Sequence, residues 1–158
     1  FHVSTRNEWG HNAMSTQLCT FFLADLFFGI SVTKIQEVIR YQETTPVPLS
    51  SPHVRGLINL RGQIVTAVDL RSCLDFPERD TSDLPMNVVI RTDDGPMSLL
   101  VDKIGDVVEV DEEQFEQAPE RLSGRARELL LGAYKLENRL LHVLDVDRAV
   151  VFAGEIDE

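Results

Sequence analysis

The chain has little of what catalysis, nucleic-acid binding or membrane insertion draws on. Its two cysteines, Cys19 and Cys73, lie far apart and form no C-x-x-C pair, which points to a reduced cytoplasmic compartment and not to a disulfide framework. Bases are few: 15 Lys and Arg stand against 26 Asp and Glu, a net charge of −11, and no three bases are consecutive. Nucleic acids are bound largely through basic side chains that neutralise phosphates, and anionic lipid surfaces attract the same residues, so the balance argues against both partner classes. An acidic surface alone gives solubility. Apolar runs are only a few residues long, against about 20 for a membrane span. A signal peptide's basic start, apolar run and small-residue cleavage site are missing too.

Motifs for chemistry are equally scarce. His2, His11, His53 and His142 are scattered, none at ligand spacing with another His or a Cys, so no metal is expected. The chain lacks G-x-S-x-G, G-x-x-x-x-G-K-[ST] and G-x-G-x-x-G, so no cofactor, phosphate loop or serine elbow is expected. His142 and Asp145 offer no more of a triad than any chain of this size. Asp93 and Asp94 read as a turn, Asp111 to Glu113 as a solvated segment, and Asp69 and Asp145 as caps before short helices. The expectation is a protein that is not an enzyme.

What is present is an ordinary globular composition, 43% hydrophobic and 26% charged. A chain of 158 residues buries about 68–70% of its unfolded surface, enough for one compact domain or two small lobes. Residues 1–15 are read as an extension outside the fold argument, because Phe1 to Ala13 shows no clean periodicity and Met14 offers an alternative start.

The strongest internal signal is a repeat. Gly56 to Leu70, GLINLRGQIVTAVDL, aligns without a gap with Gly132 to Val146, GAYKLENRLLHVLDV, at an offset of 76. Val32 to Ile39, VTKIQEVI, aligns with Val101 to Val108, VDKIGDVV, at an offset of 69. The difference places about seven extra residues in Glu109 to Glu120. Apolar runs at Leu18–Leu23 and Leu26–Ser31, and at Asn87–Thr92 and Met97–Val101, flank Ala24-Asp25 and Asp93-Asp94-Gly95 as hairpins. Leu57–Leu60 and Gln63–Val68 flank Arg61-Gly62, where Gly supplies positive φ, and Leu130–Leu136 and Arg139–Leu144 flank Glu137-Asn138. About five short strands per lobe predict small closed barrels. Helix is minor: Val32–Ile39 behind Ser31, a turn from Asp69 through Leu74, and a last helix from Asp145 to about Val151. Ser123 to Leu130 has helical propensity, but the repeat assigns its end to a strand.

At this point the residues resemble a known family. Lys34-Ile35-Gln36-Glu37-Val38-Ile39, Thr45-Pro46-Val47-Pro48, Gly56-Leu57-Ile58-Asn59-Leu60-Arg61-Gly62 and Val68-Asp69-Leu70 resemble CheW. So do Leu100-Val101-Asp102-Lys103-Ile104, Val107, Gly132 and Leu144-Asp145-Val146-Asp147. The resemblance covers residues 16–153; Thr66 departs from the proline common in the family. It implies a mainly β fold of two SH3-like five-stranded β-barrel lobes sharing an apolar interface, with a few short helices. The lobes are expected at about 16–80 and 84–146, followed by a C-terminal helix at 146–152 and a tail at 154–158.

The resemblance further implies a non-catalytic scaffold coupling transmembrane chemoreceptors to the histidine kinase CheA. Its partners would be the kinase regulatory domain and the receptor's helical tip, with no nucleic acid and no direct membrane insertion, and its place the cytoplasm, recruited to receptor arrays. The alternatives are an adaptor of a pilus or gliding-motility pathway and a nucleic-acid-binding small barrel. A trough for a partner helix needs apolar lining, for which Val32, Ile35, Val101 and Ile104 are candidates against a plain core role. Arg61 is the candidate most independent of packing: it sits on a turn, its repeat counterpart is Glu137, and its guanidinium fork suits carboxylates and carbonyls. Glu37, Asn59 and Leu60 complete the expected binding set.

Overall fold

The computed structural model describes residues 2–6, 12–48, 50–80, 82–117 and 124–154. Among these, the strands are β1 (His2–Arg6), β2 (Asn12–Leu23), β3 (Leu26–Ser31), β4 (Ile35–Ile39), β5 (Val54–Leu60), β6 (Gln63–Asp69), β7 (Met86–Thr92), β8 (Gly95–Val101), β9 (Lys103–Asp111), β10 (Phe115–Glu116), β11 (Leu130–Lys135) and β12 (Leu140–Leu144). Three short helices accompany them: α1 (Leu70–Cys73), α2 (Arg125–Glu128) and α3 (Val146–Ala153). The four hairpin turns expected from sequence are present.

Two sheets result. One has the order β4-β7-β8-β6-β5; the other runs β2-β3-β12-β11-β10, with β9 and β1 also paired to β2. Leaving out β1 and β10, the second is β9-β2-β3-β12-β11, the same arrangement as the first. The two registers match as well. Ile35 faces Ile90 where Ile104 faces Phe21, and Gly56 faces Ala67 where Gly132 faces Val143. These pairs keep the offsets of 69 and 76 found in the sequence, and a register shift recurs between Val54 and Gly56 and between Leu130 and Gly132. At both glycines the chain passes too close for a side chain: an added Cβ would lie 2.3 Å from the Thr45 carbonyl oxygen at Gly56 and 2.4 Å from that of Glu116 at Gly132.

The lobe boundaries expected from the repeat need correction. Hairpin β2–β3 of the first half pairs with β9 and β12 of the second, and hairpin β7–β8 of the second half pairs with β4 and β6 of the first. Each sheet therefore mixes both halves, and no cut near residues 80–84 separates them. The repeat showed which segments are equivalent. It carried no information on which copy each hairpin would join, because both copies offer the same edge.

Alternation along the strands divides the interior into three clusters. Phe28 and Ile30 of β3, Val88 and Ile90 of β7, and Leu99 and Val101 of β8 point into a core shared by both sheets, closed by Leu70, Leu144 and Ala149. The intervening side chains fill the hollow of each sheet: Leu18, Phe27, Tyr134 and Leu141 in one, Ile58, Leu60, Val65, Val89 and Leu100 in the other. Strands buried on both faces read as unbroken apolar runs, which is why these segments stood out in the sequence.

Two local expectations change. Val32–Ile39 is not a helix: Val32–Lys34 forms one 3₁₀ turn, Ser31 makes no side-chain cap, and Ile35–Ile39 is strand β4. Its β-branched residues favour a strand, and β7 offers an edge to pair with. The presumed extension also contributes, since His2–Arg6 pairs antiparallel with Asn12–Thr16; residues 1, 7–11 and 155–158 of the expected extension and tail lie outside the described residues. Asp69 and Asp145 do cap α1 and α3, accepting from the backbone N–H groups of Arg71 and Arg148. The helical propensity before Leu130 is realised as α2, with β11 beginning at Leu130.

Candidate partner-binding site

The β5–β6 turn carries Arg61, whose side chain is 74% exposed. Its Nη1 and Nη2 donate to the two carboxylate oxygens of Glu37 at 2.8 and 2.7 Å. Glu37 lies on β4, at the opposite edge of the same sheet, so the contact bridges the seam where the sheet curls on itself. A register shift between Ile35 and Glu37 makes this possible: Ile35 packs on the shared core while Ile39 packs inside the sheet. The hydrogen bond from Arg61 holds the Glu37 carboxyl below its ordinary pKa, and Glu37 in turn raises that of the guanidinium. In the other sheet the equivalent positions are Asp106 and Glu137, two acids. The ion pair is a feature of one sheet only, so closing a barrel does not depend on it.

Asn59 joins this group through the turn: its Oδ1 accepts the Gly62 N–H at 2.8 Å. The structure thus brings together three of the residues expected from sequence, Glu37, Asn59 and Arg61. Two others are corrected. Val101 has no exposed surface and Leu60 is 8% exposed, because each points inward at its strand position; both are core. Val32 and Ile35 are partly buried at the crossover from β3 to β4, beside an exposed ion pair between Lys34 and Asp147 at 3.5 Å.

Ile104 occupies the equivalent crossover from β8 to β9. It lines a groove of about 1280 Å³ with Phe22, Leu84, Met86 and Lys103. Ile35 is not among the residues lining that groove, since the internal symmetry sends the two isoleucines to different crossovers. Leu84 is 63% exposed at the groove, and the Arg139 guanidinium stacks over the rings of Phe22 and Phe27.

An ionic network that the sequence did not disclose runs from Arg71, Arg79 and Asp102, which line the groove, to Asp69 and Arg55, which line a separate cavity. Asp102 accepts hydrogen bonds from Arg71, Arg79 and the Ala24 N–H, and Asp69 accepts from Arg55 and Arg79. Burial alone would raise the Asp102 pKa, but the Arg71 and Ala24 hydrogen bonds and the charges of Arg71 and Arg79 outweigh it and hold the carboxyl low. Asp69 was legible as a helix cap; its second role needs Arg79, which arrives on the linker between halves. Among the described residues no group of three or more His, Cys, Asp or Glu is placed to hold a metal ion, and no helix is long and apolar enough to cross a membrane.

Residues 17–151 match the model of the CheW-like domain. The chain belongs to the CheW family. The chemotaxis protein CheW of Bacillus subtilis (strain 168) is 34% identical over 120 residues, covering 76% of this chain and 77% of its own. That of Thermotoga maritima is 30% identical over 134 residues, covering 85% and 87%. The crystal structure of scaffolding protein TtCheW from Thermoanaerobacter tengcongensis superposes with a TM-score of 0.74 over 83% of this chain and 89% of that one, at 23% identity, and so shares the fold. As a CheW-type chain the protein is a chemotaxis coupling adaptor, the function the sequence resemblance implied; the pilus, gliding and nucleic-acid alternatives are not favoured. The family is one of non-catalytic scaffolds.

Proposed function

We propose that this protein joins the cytoplasmic tip of a chemoreceptor to the regulatory domain of the histidine kinase CheA, and that Arg61 with Glu37 forms part of the contact. The observation that carries this is the exposed Arg61 guanidinium, fixed by two hydrogen bonds to Glu37. A guanidinium already held in place loses less freedom when it binds, and its Nε–H stays outside the Glu37 contact. The groove lined by Phe22, Leu84, Met86 and Ile104 takes the apolar face of a partner helix, the mode in which i, i+3 and i+4 anchors enter a trough. Val32 and Ile35 present a second apolar position at the other crossover. Recruitment to a receptor array in the cytoplasm follows from these two attachments.

The test is co-sedimentation of the full chain with a receptor cytoplasmic fragment and the kinase regulatory domain. Arg61→Glu is expected to fold normally and to weaken ternary assembly and kinase stimulation. Unchanged assembly in that variant removes Arg61 from the contact, and failure of the unaltered chain to bind either partner overturns the proposal.

A further inference from the structure

The Arg61-Gly62 turn is built differently from its counterpart. Arg61 has φ of 53° and Gly62 of 86°, so a residue with a side chain occupies the left-handed region, where Cβ crowds the following carbonyl oxygen. Two-residue turns of this hand ordinarily begin with Asn, Asp or Gly. The β11–β12 hairpin has the same loop length: Leu60 pairs with Gln63 in one, and the Leu136 N–H donates to the Arg139 carbonyl in the other. None of residues 136–139 has a positive φ. The repeat hairpin therefore closes without left-handed backbone; the β2–β3 turn does carry it, at Ala24 with φ of 54°, but the strain at Arg61 is not demanded at this position of the repeat. Backbone strain of this kind gathers at functional positions.

Asn59 holds that strained turn. It is exposed on β5, and its Oδ1 accepts the Gly62 N–H at 2.8 Å. The equivalent residue in the other hairpin is Lys135, which has no acceptor to offer. The acceptor and the left-handed turn occur together in one hairpin and are both missing from the other.

We propose that Asn59 is a positioning residue: it keeps the Arg61-Gly62 turn left-handed and so aims the Arg61 guanidinium at Glu37 and outward to the partner, without contacting the partner itself. This rests on the reading that Arg61 is a contact residue. The side chain that makes the signal is Arg61, and Asn59 acts only through it.

The experiment measures binding of the receptor cytoplasmic fragment and the kinase regulatory domain to full-length Asn59→Ala, Asn59→Asp, Arg61→Ala and the Asn59→Ala/Arg61→Ala double variant. Gly62 amide exchange is followed in parallel. Asn59→Ala is expected to speed Gly62 exchange and to weaken binding about fivefold, the scale of one hydrogen bond. Asn59→Asp keeps the acceptor and is expected to bind like the unaltered chain. The double variant is expected to bind no worse than Arg61→Ala, because a residue acting through another adds nothing once that one is gone. Normal binding by Asn59→Ala while Arg61→Ala is impaired overturns the positioning role alone. A further loss in the double variant makes Asn59 a direct contact and also overturns it. Normal binding by Arg61→Ala sinks the contact reading, and the positioning role with it.

Discussion

Asp102 binds Arg71 across the junction of the two sheets, tying the crossover from β8 to β9 to the helix that follows β6. The same carboxylate accepts the Ala24 N–H at the tip of hairpin β2–β3. One side chain thus joins a strand crossover, a helix and a hairpin drawn from both sheets. At the equivalent crossover stands Thr33, and the ion pair there, Lys34 with Asp147, is exposed. The two junctions are unequal in strength despite their shared ancestry in the repeat.

Asp102→Asn is expected to cost about 2–3 kcal/mol, somewhat under the range for a fully buried pair that loses one partner, because Asp102 retains 16% side-chain exposure. Urea unfolding measures it. The sign of the pH dependence follows from the depressed carboxyl. Its stabilisation is complete above the unfolded value of 3.8 and is lost as pH falls through the lower folded value. The stability gap between the unaltered chain and Asp102→Asn should therefore be constant near neutrality and narrow below about pH 4. A gap that persists at lower pH would refute the linkage.

The Glu37–Arg61 pair should behave in the opposite way. Arg61 is 74% exposed and Glu37 19%, and a pair with one partner in solvent adds little to the fold. Glu37→Gln is expected to leave the melting temperature unchanged and to reduce partner binding by loosening Arg61. The charge swap Glu37→Arg with Arg61→Glu rebuilds an ion pair but presents the wrong sign to the partner, so binding should stay low. Recovery of binding in the swap would make the pair's geometry, and not the guanidinium, the recognised feature.

Val101 was a candidate contact by sequence and is core by structure. Val101→Ala is expected to lower stability by about 1–3 kcal/mol through lost burial and an unfilled cavity. Binding measured well below the unfolding midpoint should be unaffected. A selective binding defect with full stability would return Val101 to the site.

Gly56→Ala is expected to destabilise by roughly 2 kcal/mol, the scale of overpacking, because its Cβ would meet the Thr45 carbonyl and its φ is 151°. Gly62→Ala meets no atom within 4 Å and should perturb the turn locally. Differential scanning calorimetry of the two variants separates a steric cost from a conformational one.

Cys73 is wholly buried, and burial, with the charge of Asp69 adding to it, pushes its thiol up to about 12. Cys19 is raised by burial as well. Only thiolates react, so both cysteines should resist alkylation at neutral pH and become reactive in denaturant. Rapid labelling of the native protein would contradict the packing around α1.

Much of the site was legible because it is local. Arg61 and Gly62 announce a tight turn through composition alone, and the mismatch between Arg61 and Glu137 in the repeat singles out the arginine. Glu37 was harder: its link to Arg61 spans 24 residues of sequence and depends on a bulge that no residue pattern in β4 declares. Leu60 alternates with exposed Asn59 on β5 and entered the set through the N-L-R-G motif; Val101 was misplaced for a related reason. A strand buried on both faces gives no alternation from which to tell an inward position from a groove-lining one. The Asp102 network stayed hidden because its arginines, Arg71 and Arg79, come from a helix and a linker with no periodic signal.

By itself the sequence determined the acidic balance, the hairpins, the helix caps at Asp69 and Asp145, and the equivalence of two halves, since each depends on residues that are neighbours in the chain or on a comparison of one segment with another. Only the tertiary structure decided that the halves exchange hairpins, that Ile35 and Ile104 sit at separate crossovers, and that a single sheet carries the ion pair. The reason is that β2 and β7 are alike as partners for β4 and β9. Which edge each strand takes is settled by the packing of the shared core around Phe28, Val88 and Leu99, a contest among residues far apart in the chain.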